Sequence, residues 1–138
     1  LRDNYFNVNE WDQGEGFRKG NWKEIEAREL LPQDGWLKMP GFDLTGVEMV
    51  SRDLFCNDSG PLNYSFELRA GSPEGPVLAS WEDEESGRKN DRLHLESLLN
   101  KEVKVATDGA FYLVSKLLAP GTEQGKVAFG GVGAMSGI

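Results

Sequence analysis

The chain has 138 residues, 38% of them apolar, a length that suits one domain with its own buried core. Its net charge of -8, from 23 acidic against 15 basic residues, argues against nucleic acid and anionic membrane surfaces as partners, since both demand a basic patch. No apolar run approaches the roughly 20 residues that span a bilayer, so membrane insertion by a helix is not expected.

Residues 1–21, "LRDNYFNVNEWDQGEGFRKGN", carry three glycines, asparagines and charges of both signs with no period of 2 or 3.6. They read as a loop-rich lead-in docked on the body. The next stretch, "NWKEIEAREL", fits either a helix or a strand, and we take the strand because "LPQDGW" after it is a turn.

From there the punctuation is regular. Turn clusters at "PGFDLTG", "CNDSGP", "AGSPEGP", "EESGRKND", "TDG" and "APGTEQG" separate short apolar runs at 46–55, 62–70, 77–81, 92–95, 102–106, 111–118 and 126–132. About eight short strands between Gly, Pro, Asn and Asp clusters predict an all-β fold, an antiparallel β-sandwich of jelly-roll type. Two hairpins are expected, one joining 64–70 to 77–81 and one joining 111–118 to 126–132. The body then spans 22–132, and 133–138 forms a C-terminal stub. The chain opens on Leu1 rather than Met, and we expect it to be part of a longer multidomain protein.

Catalytic kits are sparse. One histidine, His94, and one cysteine, Cys56, show no pairing, and no Gly-x-Ser-x-Gly elbow is present. The terminal "FGGVG" lacks the lysine of a phosphate-binding loop. Paired carboxylates are abundant but unspecific, and the acidic run "WEDEES" at 81–86 reads chiefly as a solvated loop. We expect no enzyme.

Aromatic residues say more. Sugars lay their C–H faces on aromatic rings while their hydroxyls are held by a few fixed polar groups. Trp81 and Trp36 read as core or edge. Trp11 and Trp22 lie among polar neighbours and have two possible fates, an exposed platform or a plug at the end of the sandwich. The run "PLNYSFELRAG" places Leu62, Tyr64, Phe66, Leu68 and Ala70 on one face and Asn63, Ser65, Glu67 and Arg69 on the other. Candidate ligand-binding residues are therefore Trp11, Trp22, Asn63, Glu67 and Arg69.

The "EIEA" at 24–27, with the evenly spaced body ending in "DGAFYLVSKLLAPGTEQGKVAFGGV", resembles non-catalytic jelly-roll accessory domains of the carbohydrate-binding-module type. In some of those families a Glu-x-Glu pair on the first strand contributes to a structural calcium site. The matching positions are Glu24 and Glu26, where alternate strand residues would offer two carboxylates to one side. The resemblance implies an extracellular or cell-surface protein that binds a polysaccharide or glycan. The alternative is a structural or adhesive sandwich of a surface protein or viral fibre, because one fold hosts many functions.

Overall fold

A computed structural model describes residues 2–8, 11–56, 64–81, 91–105, 109–118 and 127–136. These hold eleven strands: β1 (Arg2–Asn7), β2 (Gly14–Glu15), β3 (Phe17–Trp22), β4 (Ile25–Leu30), β5 (Gly35–Met39), β6 (Val47–Cys56), β7 (Tyr64–Ala70), β8 (Val77–Trp81), β9 (Asp91–Leu98), β10 (Phe111–Leu117) and β11 (Val127–Ser136). Every pairing is antiparallel. One sheet has the order β3-β4-β11-β6-β9, with β1 also on β11; the other runs β2-β5-β10-β7-β8.

The core is what the inward rows of the two sheets share. Along β7 the alternation buries Tyr64, Phe66, Leu68 and Ala70, and its neighbours add Phe111 and Leu113 from β10 and Leu37 and Met39 from β5. Each large side chain withdrawn from water in this way contributes about 1.5–3 kcal/mol. Phe66 meets Phe129 of the opposite sheet edge-on at 5.2 Å, and the guanidinium of the buried Arg52 lies 4.9 Å from the Phe66 ring. The two sheets are thus locked through one aromatic contact and one cation–π contact.

Four sequence expectations are corrected. The lead-in is largely strand, contributing β1, β2 and β3, because pairing with β11, β5 and β4 supplies backbone partners that no local periodicity announces. The stub at 133–138 is mostly part of β11, whose strand runs to Ser136 and pairs with β6 up to Val47. Residues 111–118 and 126–132 form no hairpin, since β10 and β11 lie in different sheets. Residues 102–105 form no strand either: the Glu102 amide donates to the Asn100 side chain at 3.2 Å and the Val103 amide to the Asn100 carbonyl at 3.3 Å, which closes a turn.

The glycines of β11 have a packing reason. A Cβ on Gly131 would stand 2.7 Å from both the Phe6 carbonyl oxygen and the Tyr5 hydroxyl, and one on Gly130 would stand 2.6 Å from the Phe55 ring. Only a bare backbone lets β1 and the Phe55 ring close over this central strand. The hairpin of β7 and β8 forms as expected, with a register shift between Leu68 and Arg69 that buries both Leu78 and Ala79.

Candidate functional site

The outward face of the five-stranded sheet is set by the same period that builds the core. Burying Leu37 and Met39 turns Trp36 and Lys38 outward on β5, and burying Phe111, Leu113 and Ser115 turns out Tyr112, Val114 and Lys116 on β10. Ser65, Glu67 and Arg69 face the same way on β7, with Ser80 on β8 and Glu15 on β2.

Register arranges these side chains in rows across the strands. Lys38 lies opposite Tyr112, and Tyr112 opposite Arg69. Trp36 lies opposite Val114, which lies opposite Glu67; Glu15 extends that row on one side and Ser80 on the other. The Trp36 and Tyr112 rings meet edge-on, 5.6 Å apart at 62°, and both remain half-buried. They form a rigid amphipathic surface of the kind on which an apolar sugar face rests.

Beside the rings, Glu67 and Arg69 are held in fixed positions. The Arg69 guanidinium donates to Glu67 Oε1 from Nη2 at 2.8 Å and from Nε at 3.2 Å, while Nη1 donates to the Gly75 carbonyl at 2.8 Å. The pair leaves the second carboxylate oxygen of Glu67 as an acceptor for a ligand hydroxyl. At one end of the face a cleft of about 550 Å³ opens between the loops, lined by Asp12, Gln13, Lys38, Pro40, Gly41 and Gly109 among others.

The structure brings Glu67 and Arg69 together as expected and reassigns the aromatics. Trp11 is 2% exposed and belongs to the core cluster with Val8, so it cannot serve as a platform. The Trp11 backbone is tied down on both sides: its amide donates to the Val8 carbonyl at 2.9 Å, and its carbonyl accepts from the buried Arg28 Nε at 3.1 Å. Trp22 is placed through its backbone, opposite Ile25 on β3 at the rim of the other sheet, away from the Glu67 row. Asn63 and the acidic residues at 82–86 lie outside the described residues.

Trp36 and Tyr112 were missed as site residues. Their parity relative to Leu37 and Leu113 carried the signal, but only pairing of β5 with β10 shows that the two rings meet. Glu24 and Glu26 do not alternate along one strand. Lys23 and Glu24 both take positive φ, 46° and 72°, in the two-residue turn joining β3 to β4. Glu26 instead sits on β4 with Oε1 3.6 Å from Arg28 Nη1. Among the described residues no group of three or more His, Cys, Asp or Glu side chains is placed to hold a metal ion.

His94 does have a partner, against expectation. Its Nδ1 lies 2.6 Å from Oδ1 of the fully buried Asp53, which also accepts from the Tyr5 hydroxyl. The other ring nitrogen faces Glu96 Oε1 at 3.9 Å rather than a hydroxyl or thiol, so the arrangement lacks the nucleophile a triad needs.

No family model and no curated protein sequence matches the chain. Solved structures do match. A β-1,3-glucan-binding family 6 carbohydrate-binding module from Bacillus halodurans superposes with a TM-score of 0.70 at 15% identity, covering 96% of both chains. A family 6 module from Clostridium cellulolyticum, solved in complex with xylose, gives 0.67 at 12% identity over 96% of this chain and 97% of its own. An arabinoxylan arabinofuranohydrolase of glycoside hydrolase family 43 from Bacillus subtilis gives 0.65 at 11% identity, and there the match occupies 27% of the longer enzyme. At such identities the likeness is one of fold, and the chain has the jelly-roll fold of the family 6 carbohydrate-binding modules.

Proposed function

We propose that the chain is a non-catalytic carbohydrate-binding module of an extracellular protein, holding a polysaccharide against the outward face of β5, β10 and β7. The observation that carries this reading is the half-exposed Trp36–Tyr112 pair, set in a row of fixed polar groups that includes the Glu67–Arg69 ion pair. A shallow aromatic surface flanked by hydrogen-bonding side chains suits an extended sugar chain. Structural neighbours whose names record β-1,3-glucan and xylose support the ligand class, and the match inside a longer hydrolase supports an accessory role.

Affinity gel electrophoresis against laminarin, xylan and soluble cellulose derivatives tests the reading. Retardation by at least one polymer, lost in Trp36→Ala and Tyr112→Ala, is expected; no retardation, or retardation that survives both substitutions, overturns it.

A further inference from the structure

We propose that the preferred ligand is an acidic polysaccharide, whose anionic substituent is received by Lys38 where the aromatic face meets the end cleft. This rests on the glycan-binding reading above and narrows it to a ligand class. Lys38 stands two residues along β5 from Trp36 and directly opposite Tyr112, so its ammonium serves both rings and also lines the cleft. A sugar ring resting on either aromatic therefore brings its exocyclic substituent to one cation.

Among the described lysines without a carboxylate partner, Lys38, Lys104 and Lys116, only Lys38 is half-buried. Lys19 is engaged by Asp12 at 3.1 Å, Lys101 by Glu48, Arg18 by Glu29 and Arg69 by Glu67. Lys38 is half-buried with no carboxylate against it among the described residues, on a chain of net charge -8 that supplies carboxylates in excess. The acidic group lining the same cleft, Asp12, is already compensated by Lys19 and by Arg28 at 3.7 Å. Lys116 repeats the pattern on the same face, unpaired and exposed, four residues beyond Tyr112 on β10 and so about 13 Å along the strand. Two free cations thus bracket the aromatic pair.

A neutral glycan hydroxyl can accept from these ammonium groups, whereas a carboxylate or sulfate also neutralises them through a shorter, charge-assisted bond. Carboxylates elsewhere on the molecule act through solvent, where the screening length is about 10 Å at 0.1 M salt, and of those near the site Glu67 is compensated by Arg69 and Asp12 by Lys19.

Isothermal titration with polygalacturonate, carrageenan, laminarin and neutral xylan provides the test, on the wild-type chain, Lys38→Gln, and Lys38→Gln/Lys116→Gln. One acidic polymer should bind more tightly than either neutral one. Lys38→Gln should lower the acidic-to-neutral affinity ratio by roughly tenfold or more, the size of a lost charged hydrogen bond, and the double substitution should lower it further. Preference for polygalacturonate identifies a uronate, and preference for carrageenan a sulfate ester. Equal or tighter binding of a neutral polymer, or an unchanged ratio in Lys38→Gln, overturns the inference and leaves the glycan-binding reading standing. Binding to none of the four overturns the inference, and binding to none of them or of the soluble cellulose derivatives overturns both.

Discussion

Trp11 and Trp36 take opposite roles, one in the core and one on the outward face, and substituting each separates stability from binding. Trp11 is 2% exposed within the core cluster, whereas Trp36 is half-buried on the outward face of β5. Truncating a buried tryptophan to alanine costs about 3–5 kcal/mol, the lost transfer energy plus the cavity left behind. With an unfolding entropy near 2.1 cal/mol/K per residue, a chain of 138 residues has about 0.29 kcal/mol/K at its midpoint. Trp11→Ala should therefore lower Tm by roughly 10–17 °C. The Arg28 bond goes to the backbone carbonyl of residue 11, so it survives the substitution and does not inflate the loss. Trp36→Ala removes a half-buried ring that packs on Tyr112 among the described aromatics, and should cost about half as much, roughly 1.5–2.5 kcal/mol or 5–9 °C. Its effect also falls on binding, where removing an aromatic anchor costs about 2 kcal/mol or more, roughly 30-fold in Kd. Differential scanning fluorimetry and affinity gels on the two variants give both readouts. A Trp11→Ala chain that melts normally but no longer binds glycan would refute the assignment of roles.

Other expectations concern separate parts of the fold. Burial raises the Tyr64 phenol above its ordinary value of 10.0, so the unfolded chain ionises first; the associated stability is complete below pH about 10 and lost as pH climbs through the folded value. Urea unfolding across that range should show this loss shrinking in Tyr64→Phe, which also gives up the bond to the Leu31 carbonyl and about 1 kcal/mol at neutral pH; an unchanged alkaline slope would contradict the burial argument. Gly131→Ala should destabilise by about 1–3 kcal/mol, since the Phe6 backbone cannot retreat from a new methyl group. Gly20→Ala, with nothing nearer than 3.6 Å, should leave the melt nearly unchanged, and equal losses in the two variants would reject the packing explanation. With Glu24 on a turn and Glu26 facing Arg28, added calcium should leave Tm unchanged; a calcium-dependent rise that disappears in Glu24→Ala/Glu26→Ala would restore a metal role for the pair.

Much of the architecture is readable locally. The runs that became β6, β7, β8 and β10 alternate or carry apolar residues between turn clusters, and a buried face follows from a period of two without knowledge of any partner. The hairpin of β7 and β8 is likewise a local event, closed by a turn rich in Gly and Pro. β1, β2 and β3, which lack that pattern, escaped notice, and the strand read at 126–132 runs on to Ser136 as β11. β11 is glycine-rich because β1 and the Phe55 ring lie against it, a reason located more than seventy residues away in the chain.

The candidate site divides along the same line. That Glu67 and Arg69 share a face was legible in "PLNYSFELRAG", because their separation is two. That this face carries Trp36 and Tyr112 was not, because those residues come from strands separated by more than seventy positions and brought together only by the order β5-β10-β7. The fate of Trp11 was equally undetermined by its polar neighbours, since a ring in a short connection turns inward or outward according to the gap left between two sheets. The sequence by itself determined which residues point to opposite sides of each strand, for that depends on backbone geometry alone. Only the tertiary structure decided which strands lie side by side, and hence which outward side chains become one surface, because strand pairing depends on contacts distant in sequence.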